Sequence, residues 1–356
     1  MLTYAPRPEL RAFGVSSYIP HGERPGARLI PVRLPGARAR RQPGVPGTSS
    51  PSSPITSHET IEGARVLSLP TVPAALPSPP PGDIVVGAYL RTLRRDSNRT
   101  AVDIAKVLHL SLSAVSQMER AASPLAPSRV RAMLRLYGLR DEGEITVIQR
   151  LLADPRDPQR FRMFDNARGA YDRLAAIQRS ATTLRSYTSY LLPRPYRTPG
   201  YDQALRQSGA PRDVGARRAP LGHVPPRPGD GAHFTLLLDE AVLRRPIGGH
   251  RVMACQLEYL LELMEAERAR ILVVPPTNEI PPLEPSITEV AVHGHRLYVA
   301  DQPVGIEYRS GDGYPQILRD WLNEVERACA ASDSHDRITR ARDALWSRAA
   351  AEPVVR

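Results

Sequence analysis

Cysteine, lysine and long apolar runs are all scarce in this sequence of 356 residues. The two cysteines, Cys255 and Cys329, lie far apart and outside any CxxC or Cys/His cluster. A disulfide framework and a zinc site are therefore not predicted, and this cysteine usage is typical of a cytoplasmic protein. No apolar run reaches the roughly 18 residues that a membrane span needs, and MLTYAPRPEL lacks the pattern of a secretory signal. The sequence thus predicts no membrane partner.

The distribution of charge indicates more about function than the formal net charge of +11. Residues 1–82 carry a net charge of +5 and residues 83–140 a net charge of +6, whereas the charges after them cancel. A basic domain with a basic tail is typical of a nucleic-acid-binding protein. Codon bias explains why Lys106 is the only lysine, but it does not explain why the excess of arginine ends near residue 140.

Residues 1–82 hold 16 of the 37 prolines, no aspartate and little apolar periodicity. Such a composition buries too little apolar surface to offset the entropy of ordering the chain, so it predicts a disordered leader. Two roles stay open for this leader. The composition favours a passive flexible segment, and the alternative is a basic arm that touches DNA.

Residues 83–140 predict a compact bundle of four or five short helices. In IVVGAYLRTLRRD, Val86, Leu90 and Leu93 recur at helical spacing, with arginines on the other face. Further helices are expected in AVDIAKVL, LSAVSQMER and SRVRAMLRLYGL, each bounded by turn or capping residues.

Two helix starts and one unusual turn define the segment around IAKVLHLSLSAVSQMERA. Thr100, followed three residues later by Asp103, is typical of a helix N-cap, and Ser111 is expected to cap the next helix. His109 lies in the turn between these helices, at a position that is expected to need a positive φ and is commonly glycine. A non-glycine residue there costs roughly 1–2 kcal/mol, although His is over-represented among such residues. The turn is weakened but not excluded.

This spacing predicts a helix-turn-helix whose second helix enters the major groove of DNA. Its apolar positions are expected to be buried between the helices, which leaves polar side chains on the opposite face. Gln bonds adenine in bidentate geometry, Ser donates or accepts a hydrogen bond, and Leu packs on a thymine methyl group. The predicted DNA-binding residues are Thr100, Ser111, Leu112, Ser113, Ser116, Gln117 and Arg120.

The segment VGAYLRTLRRDSNRTAVDIAKVLHLSLSAVSQMER resembles the Xre-type helix-turn-helix of Cro-like and lambda repressor-like regulators. The shared features are the LRxLR opening, the T-x-x-x-[IL]-A start of the second helix and the S-x-x-x-[IV]-S-x-[IM]-E-R recognition helix. This sequence departs from the family at Ala101, where glutamine often touches phosphate, and at His109 and Ala121, which replace glycines. The resemblance implies a transcription regulator that binds double-stranded DNA with sequence specificity.

From residue 141 the charge-balanced part of the chain predicts helices and then a mixed fold. Residues 141–192 are expected to form a helical connector, and residues 193–350 an α/β effector or dimerisation domain. FTLLLDE at 234–240 and ARILVVPP have the apolar runs of buried strands, and the segment 250–268 between them predicts an amphipathic helix. ITEVAV, RLYVAD and GIEYR predict a strand meander, and YPQILRDWLNEVERACA a closing helix. The predicted fold class is α+β, an all-α helix-turn-helix bundle followed by a mixed α/β domain.

The stretch over roughly residues 165–346 is similar to a domain of unknown function that follows Xre-type motifs in many regulators of high-GC filamentous bacteria. LDEAVLRRPIGG carries the resemblance, and YLLPRPYRTPGYDQALR supports it. The resemblance implies that this part of the chain senses a signal or binds a partner, such as a small protein encoded nearby. It assigns no catalytic residues.

Two groups of polar side chains permit alternative interpretations. The segment 239–245 contains Asp239, Glu240, Arg244 and Arg245. These residues suit either an anion site with acid–base chemistry or a charge network at the start of a helix, and the network is favoured. His293 and His295 lack a third ligand and are more typical of a turn or strand edge than of a metal site. No nucleophile elbow or phosphate loop is present, so no enzyme, cofactor or metal is predicted.

The patterns together predict a transcription regulator. The alternative is a protein-interaction module, such as an antitoxin-like partner, whose helix-turn-helix has degenerated. One helix-turn-helix contacts few base pairs, so a pair of copies is expected on DNA. The apolar stripe of helix 250–268, widened by Tyr259, Leu263 and Met264, is the predicted surface of a homodimer.

Overall fold

The structure, a computed structural model, describes residues 78–152, 157, 159–208, 233–302, 305–329 and 331–352. These residues belong to one compact unit, Val72–Arg356. Residues 1–77 of the predicted disordered leader lie outside the described residues. Its last two residues, Pro81 and Gly82, are helical, because proline is well tolerated at the first position of a helix.

Within the described residues, five helices form an N-terminal bundle: α1 (Pro81–Asp96), α2 (Ala101–Val107), α3 (Leu112–Glu119), α4 (Pro127–Leu136) and α5 (Glu142–Arg150). Their inward-facing side chains build one apolar core, whose members include Leu90, Ile104, Val115, Met133, Leu134 and Ile148. The predicted helical bundle is confirmed. Helix α5 belongs to the same core, although it follows residue 140.

Both predicted helix caps are present. The Thr100 hydroxyl accepts a hydrogen bond from the backbone N–H of Asp103 at 3.1 Å, and the Asp103 carboxylate accepts one from the N–H of Thr100 at 2.9 Å. The two bonds form a capping box at the start of α2. Ser111 caps α3 by accepting from the N–H of Ala114 at 3.0 Å. Side-chain oxygens therefore fix where both helices begin.

The two residues that replace family glycines both adopt a left-handed backbone. His109, between α2 and α3, has a φ of 52°, as predicted, and Ala121, after α3, has a φ of 53°. The side chain of His109 is exposed, whereas Ala121 is 5% exposed and packs in the core between α1 and the sheet. The methyl group of Ala121 therefore contributes packing that glycine lacks, and the side chain of His109 contributes little.

The remaining described chain folds around a mixed sheet of seven strands: β1 (Arg162–Asp165), β2 (Ala181–Thr188), β3 (His233–Asp239), β4 (Arg270–Val274), β5 (Ser286–Val292), β6 (His295–Gln302) and β7 (Gly305–Arg309). Their order across the sheet is β1-β7-β6-β5-β2-β3-β4. Strands β2, β3 and β4 are parallel, with Leu184 opposite Phe234 and Leu238 opposite Val273. The other neighbours are antiparallel. The predicted strand–helix–strand unit and the strand meander are confirmed.

Helices cover both faces of the sheet. The first face carries α6 (Ala170–Ser180), α7 (Pro199–Gln207), α8 (Glu240–Arg244), α9 (His250–Glu265) and α11 (Ala331–Ala351), and the second carries α10 (Tyr314–Ala328). On the first face, α7, α9 and α11 pack over the parallel strands, and α6 packs over the antiparallel ones. On the second, Trp321 of α10 packs edge-on against Tyr187, with ring centroids 4.8 Å apart. No helix in the described ranges is long and apolar enough to cross a membrane.

The prediction of a helical connector over residues 141–192 is wrong for two segments. Strands β1 and β2 lie within it, beside helices α5 and α6. Helix α6 ends at Ser180, and the strand that follows, ATTLRSYT, is rich in threonine and also contains tyrosine, residue types that suit a pleated surface. Because β2 pairs with both β3 and β5 in the interior of the sheet, backbone pairing outweighs the helical preference of its Ala and Leu residues.

The predicted homodimer surface on helix 250–268 is covered within the same chain. Helix α9 packs against α11, a helix outside the predicted elements. Leu263 is 1% exposed, and Tyr259 and Met264 are partly buried against the same core. The prediction of a free apolar face here is wrong. Helix α11 also reaches the edge strand β4, where the Ser334 hydroxyl accepts a hydrogen bond from the N–H of Val273 at 2.8 Å.

Helix α1 contributes to two cores at once. Val86 and Leu90 face the helical bundle, whereas Ile84, Val85 and Ala88 pack against α6 and the antiparallel strands. Because both faces of the helix are buried, the bundle and the sheet share α1 as a structural element. The orientation of the bundle on the sheet is therefore set by apolar packing.

We expect His109→Gly to raise the free energy of unfolding by on the order of 1 kcal/mol, because glycine adopts a left-handed backbone without steric cost. Urea unfolding followed by circular dichroism measures this change. Lys106→Gly is the matched control, since Lys106 is exposed within α2 and glycine should destabilise a helix interior by about 1 kcal/mol. Equal destabilisation by both variants would show that the turn is not strained.

Asp83, in the first turn of α1, gives a second prediction. Burial raises the pKa of its carboxyl from 3.8 to about 6, although a hydrogen bond from the Leu125 backbone opposes the shift. The folded state thus holds the proton more tightly than the unfolded chain. The resulting stability is fully present below pH 3.8 and is lost as the pH rises through about 6.

We expect Asp83→Asn to remove this pH dependence and to raise the free energy of unfolding at neutral pH by about 2 kcal/mol. The measurement is the difference in unfolding free energy between the variant and the wild type at about pH 4 and about pH 7. A difference that is the same at both pH values would contradict the assignment to Asp83.

Candidate nucleic-acid interface

Helix α3 has one side buried in the bundle and the other open to solvent. Val115 and Met118 lie in the core, whereas Leu112 is 52% exposed and Ser113 and Gln117 are exposed beside it. The spacing of one helical turn also places Ser116, which is partly exposed, on this side. We call Leu112, Ser113, Ser116 and Gln117 the open face of α3. The face combines hydrogen-bonding groups of both kinds with one apolar side chain.

The other predicted site residues lie at the ends of α2 and α3. The hydroxyls of Thr100 and Ser111 are the helix caps, and the Thr100 hydroxyl also donates to the Asp103 carboxylate at 2.7 Å. Arg120 follows α3, where its Nε donates to the Ser116 carbonyl oxygen at 3.2 Å. These three side chains stabilise helix ends, so their direct contact with DNA stays a prediction.

An ion pair with a buried carboxylate ties the far end of α3 to α1. The carboxylate of Glu119, which is 2% exposed, accepts two hydrogen bonds from the Arg94 guanidinium, at 2.5 Å and 2.9 Å. The hydrogen bond to Glu119 raises the pKa of Arg94. Arg94 also donates to the carbonyl oxygen of Arg99 at 2.9 Å, in the turn between α1 and α2. One guanidinium therefore holds three helices in place, a role that the LRxLR and E-R motifs alone do not indicate.

The close approach of α1 and α3 requires a glycine. A Cβ at Gly87 would lie 2.7 Å from the carbonyl oxygen of Met118 and 3.2 Å from that of Glu119. Because these are backbone atoms, a larger residue at position 87 fits only if α3 shifts. The signal in the sequence is an isolated glycine within a helical pattern, away from the helix end, which is typical of a close packing contact.

Exposed basic side chains are numerous on the bundle. They include Arg95, Arg99, Lys106, Arg120, Arg129 and Arg140. The pKa of Arg91 is lowered, first by burial and then by the positive charge of Arg95, so these arginines lie close enough to repel one another. Such an excess of positive charge attracts a polyanion and gives an affinity that falls as salt rises.

The turn between β5 and β6 contacts the end of α3. His293 and Gly294 have positive φ values of 52° and 85°, as in tight hairpin turns, which confirms the prediction of a turn. Nε2 of His295 donates to the carbonyl oxygen of Arg120 at 2.9 Å. Burial, followed by the positive charge of Arg91, lowers the pKa of His293 to about 4. The sheet and the residue that ends α3 are thus in direct contact.

The charged residues of segment 239–245 make structural contacts. Asp239 caps α8 by accepting from the N–H of Ala241 at 2.9 Å. Glu240 forms ion pairs with Arg244 on the same helix and with Arg337 on α11. These contacts support the charge network over acid–base chemistry. Among the described residues, no group of three or more His, Cys, Asp or Glu side chains is arranged to hold a metal ion.

Comparison with known protein families gives two matches within the described chain. Residues 85–146, from α1 into α5, match the family described as a helix-turn-helix domain. Residues 171–340 match the domain of unknown function DUF5753. None of the curated proteins matches the chain. The protein therefore carries a helix-turn-helix domain followed by a DUF5753 domain, which confirms both resemblances at this level. The helix-turn-helix domain supports DNA binding, and the second family is functionally undefined.

We expect Arg94→Met to lower the free energy of unfolding by about 3 kcal/mol, because it leaves the Glu119 carboxylate buried without its partner. The double variant Arg94→Met/Glu119→Leu should recover most of this loss, as measured by urea unfolding of the wild type, the single variant and the double variant. Arg135→Met is the matched control. Its ion pair with Glu142 is exposed, with side chains 56% and 52% accessible, so its loss should change stability by less than about 1 kcal/mol. Similar losses from both single variants would contradict a special role for Arg94.

Proposed function

We propose that this protein is a sequence-specific transcription regulator of the Xre type. In this proposal residues 83–140 bind DNA in the cytoplasm, and the C-terminal sheet domain, which includes β1, α6 and β2 as well as the chain from residue 193 onwards, senses a signal or a partner. The open face of α3 is the observation that carries the proposal. Its helix is capped at the start, anchored at the end by Glu119, and exposed only on the side with base-reading chemistry.

Each open-face residue has a matching group in the major groove. Gln117 suits the donor and acceptor pair of adenine, and Ser113 suits either a donor or an acceptor. Leu112 is an exposed leucine among polar side chains, and a thymine methyl group would cover it. The basic side chains of the bundle supply the contacts to phosphate that position a recognition helix without specifying sequence.

The number of protein copies on DNA is a further part of the proposal. A single helix-turn-helix contacts too few base pairs to select one site in a genome, so two copies are proposed to bind one operator. Because α11 covers the apolar stripe of α9, the surface that pairs the two copies is proposed to lie in another part of the chain. A small partner protein is the other source of a second contact. No catalytic role is proposed for this chain.

We expect Gln117→Ala and Ser113→Ala each to weaken binding to the matched operator by on the order of 1–3 kcal/mol while leaving binding to random DNA unchanged. The operator is obtained by recovering bound genomic fragments, and affinities are measured by fluorescence anisotropy. Gln203→Ala is the control, since Gln203 is exposed on α7, outside the helix-turn-helix. Equal weakening on operator and random DNA would contradict the assignment of these residues to base edges.

The same measurements over a range of salt concentrations distinguish the regulator from a degenerate interaction module. Contacts to phosphate release counterions, so a regulator gives an affinity that falls steeply as salt rises. A protein that shows no such dependence and binds no operator would contradict the proposed function. The stoichiometry at saturation gives the number of copies on each operator.

A further inference from the structure

A cavity lies on the first face of the sheet, between the two groups of helices that cover it. Its volume is about 300 Å³. Helix α6 borders it on one side and α7 on the other, and the segment after β2 closes one end. It lies where the core under α9 and α11 gives way to the core under α6. The size is at the lower end of the range for pockets that bind small molecules.

Aliphatic side chains form the apolar part of the inner surface of this cavity, beside Ser286 and Thr288 of β5. Val290 of β5 and Val299 of β6 form part of the sheet side, and both are nearly inaccessible to solvent. Leu174 of α6 and Leu205 of α7 contribute the walls. Such a surface favours an apolar body in the bound molecule, because transfer of that body from water buries apolar area on both partners.

The mouth of the cavity is polar and carries an excess of positive charge. The guanidinium of Arg194 stacks on the ring of Tyr171 at 3.8 Å from its centroid, and its Nε donates to Asp301 at 3.3 Å. Arg197 is held by the Leu192 carbonyl oxygen at 2.6 Å and by Asp202 at 3.2 Å.

Arg206, exposed on α7, is the third arginine that lines the cavity. The lining thus contains three arginines and two aspartates, Asp202 and Asp301. Two guanidinium groups are thus held by hydrogen bonds to neighbouring groups, and the third belongs to an exposed side chain.

We propose that this cavity binds a small organic anion with an apolar body, such as an aromatic or aliphatic carboxylate or sulfonate. The apolar body would lie against Val290, Val299 and Leu174, with its anionic group at the mouth near Arg206. The inference rests on the proposed sensing function of the C-terminal domain and assigns that function a site and a ligand class.

The elements around the cavity also contact the helix-turn-helix bundle. Leu174 lines the cavity and belongs to the same core as Ile84 and Val85 of α1. Strands β5 and β6 run from the cavity to the turn at which His295 bonds the Arg120 carbonyl oxygen. A molecule in the cavity would therefore contact elements that touch both α1 and the end of α3.

The test uses two fluorescent probes with the full-length protein. Anilinonaphthalene sulfonate has an aromatic body and an anionic group, and phenylnaphthylamine has the same kind of body without the charge. We expect saturable binding of the sulfonate at a single site. Gln178→Trp, on the cavity side of α6, should fill the space and weaken binding of both probes at least about tenfold.

Arg206→Gln should weaken binding of the sulfonate probe about threefold to tenfold and leave binding of the neutral probe unchanged. This variant changes an exposed side chain, so it keeps the test valid if Gln178→Trp lowers the melting temperature. Arg319→Gln, exposed on α10 at the opposite face of the sheet, is the matched control and should change neither affinity. Absence of saturable binding, or equal binding by wild type and Gln178→Trp, would overturn the proposal.

Operator affinity with and without the probe separates this site from the proposed function. A probe that binds the cavity but leaves DNA affinity unchanged would support the site and contradict the sensing role. A protein that binds the probe but no DNA would support the site and contradict the regulator.

Discussion

The packing of helix α1 into two cores is the constraint on which the rest of this structure depends. One side of α1 packs in the core of the helix-turn-helix bundle, and the other side packs in the core over the antiparallel strands. The Arg94–Glu119 pair and the contact at Gly87 then fix α3 relative to α1. Because these contacts are close apolar packing and an ion pair with a buried carboxylate, the orientation of α3 follows from the position of the sheet.

Local features of the bundle could be predicted because they depend on neighbouring residues. The caps at Thr100 and Ser111 and the positive φ of His109 all follow from interactions within a few positions of the chain. The open face of α3 likewise follows from helical periodicity. The Arg94–Glu119 pair differs, since the spacing of 25 residues carries no signal that the two side chains meet.

The errors in the C-terminal domain have a common cause in long-range pairing. The segment of β2 contains residues that suit either a helix or a strand, and its two neighbours in the sheet decide between them. The stripe of α9 has the pattern of a free apolar face until α11, roughly 65 residues later in the chain, covers it. The cavity was not predictable for the same reason, because its lining comes from separate helices and strands that only the sheet order brings together.

The hydrogen bond from the N–H of Val273 to Ser334 has a consequence for solubility and assembly. Strand β4 is an edge of the sheet, and an outward-pointing N–H on an edge strand is a template for pairing with another chain. The serine hydroxyl accepts the hydrogen bond from that donor, and helix α11 packs against the strand. This edge is thereby protected from sheet-to-sheet aggregation, and two copies of the protein cannot join there into one continuous sheet unless α11 first moves away.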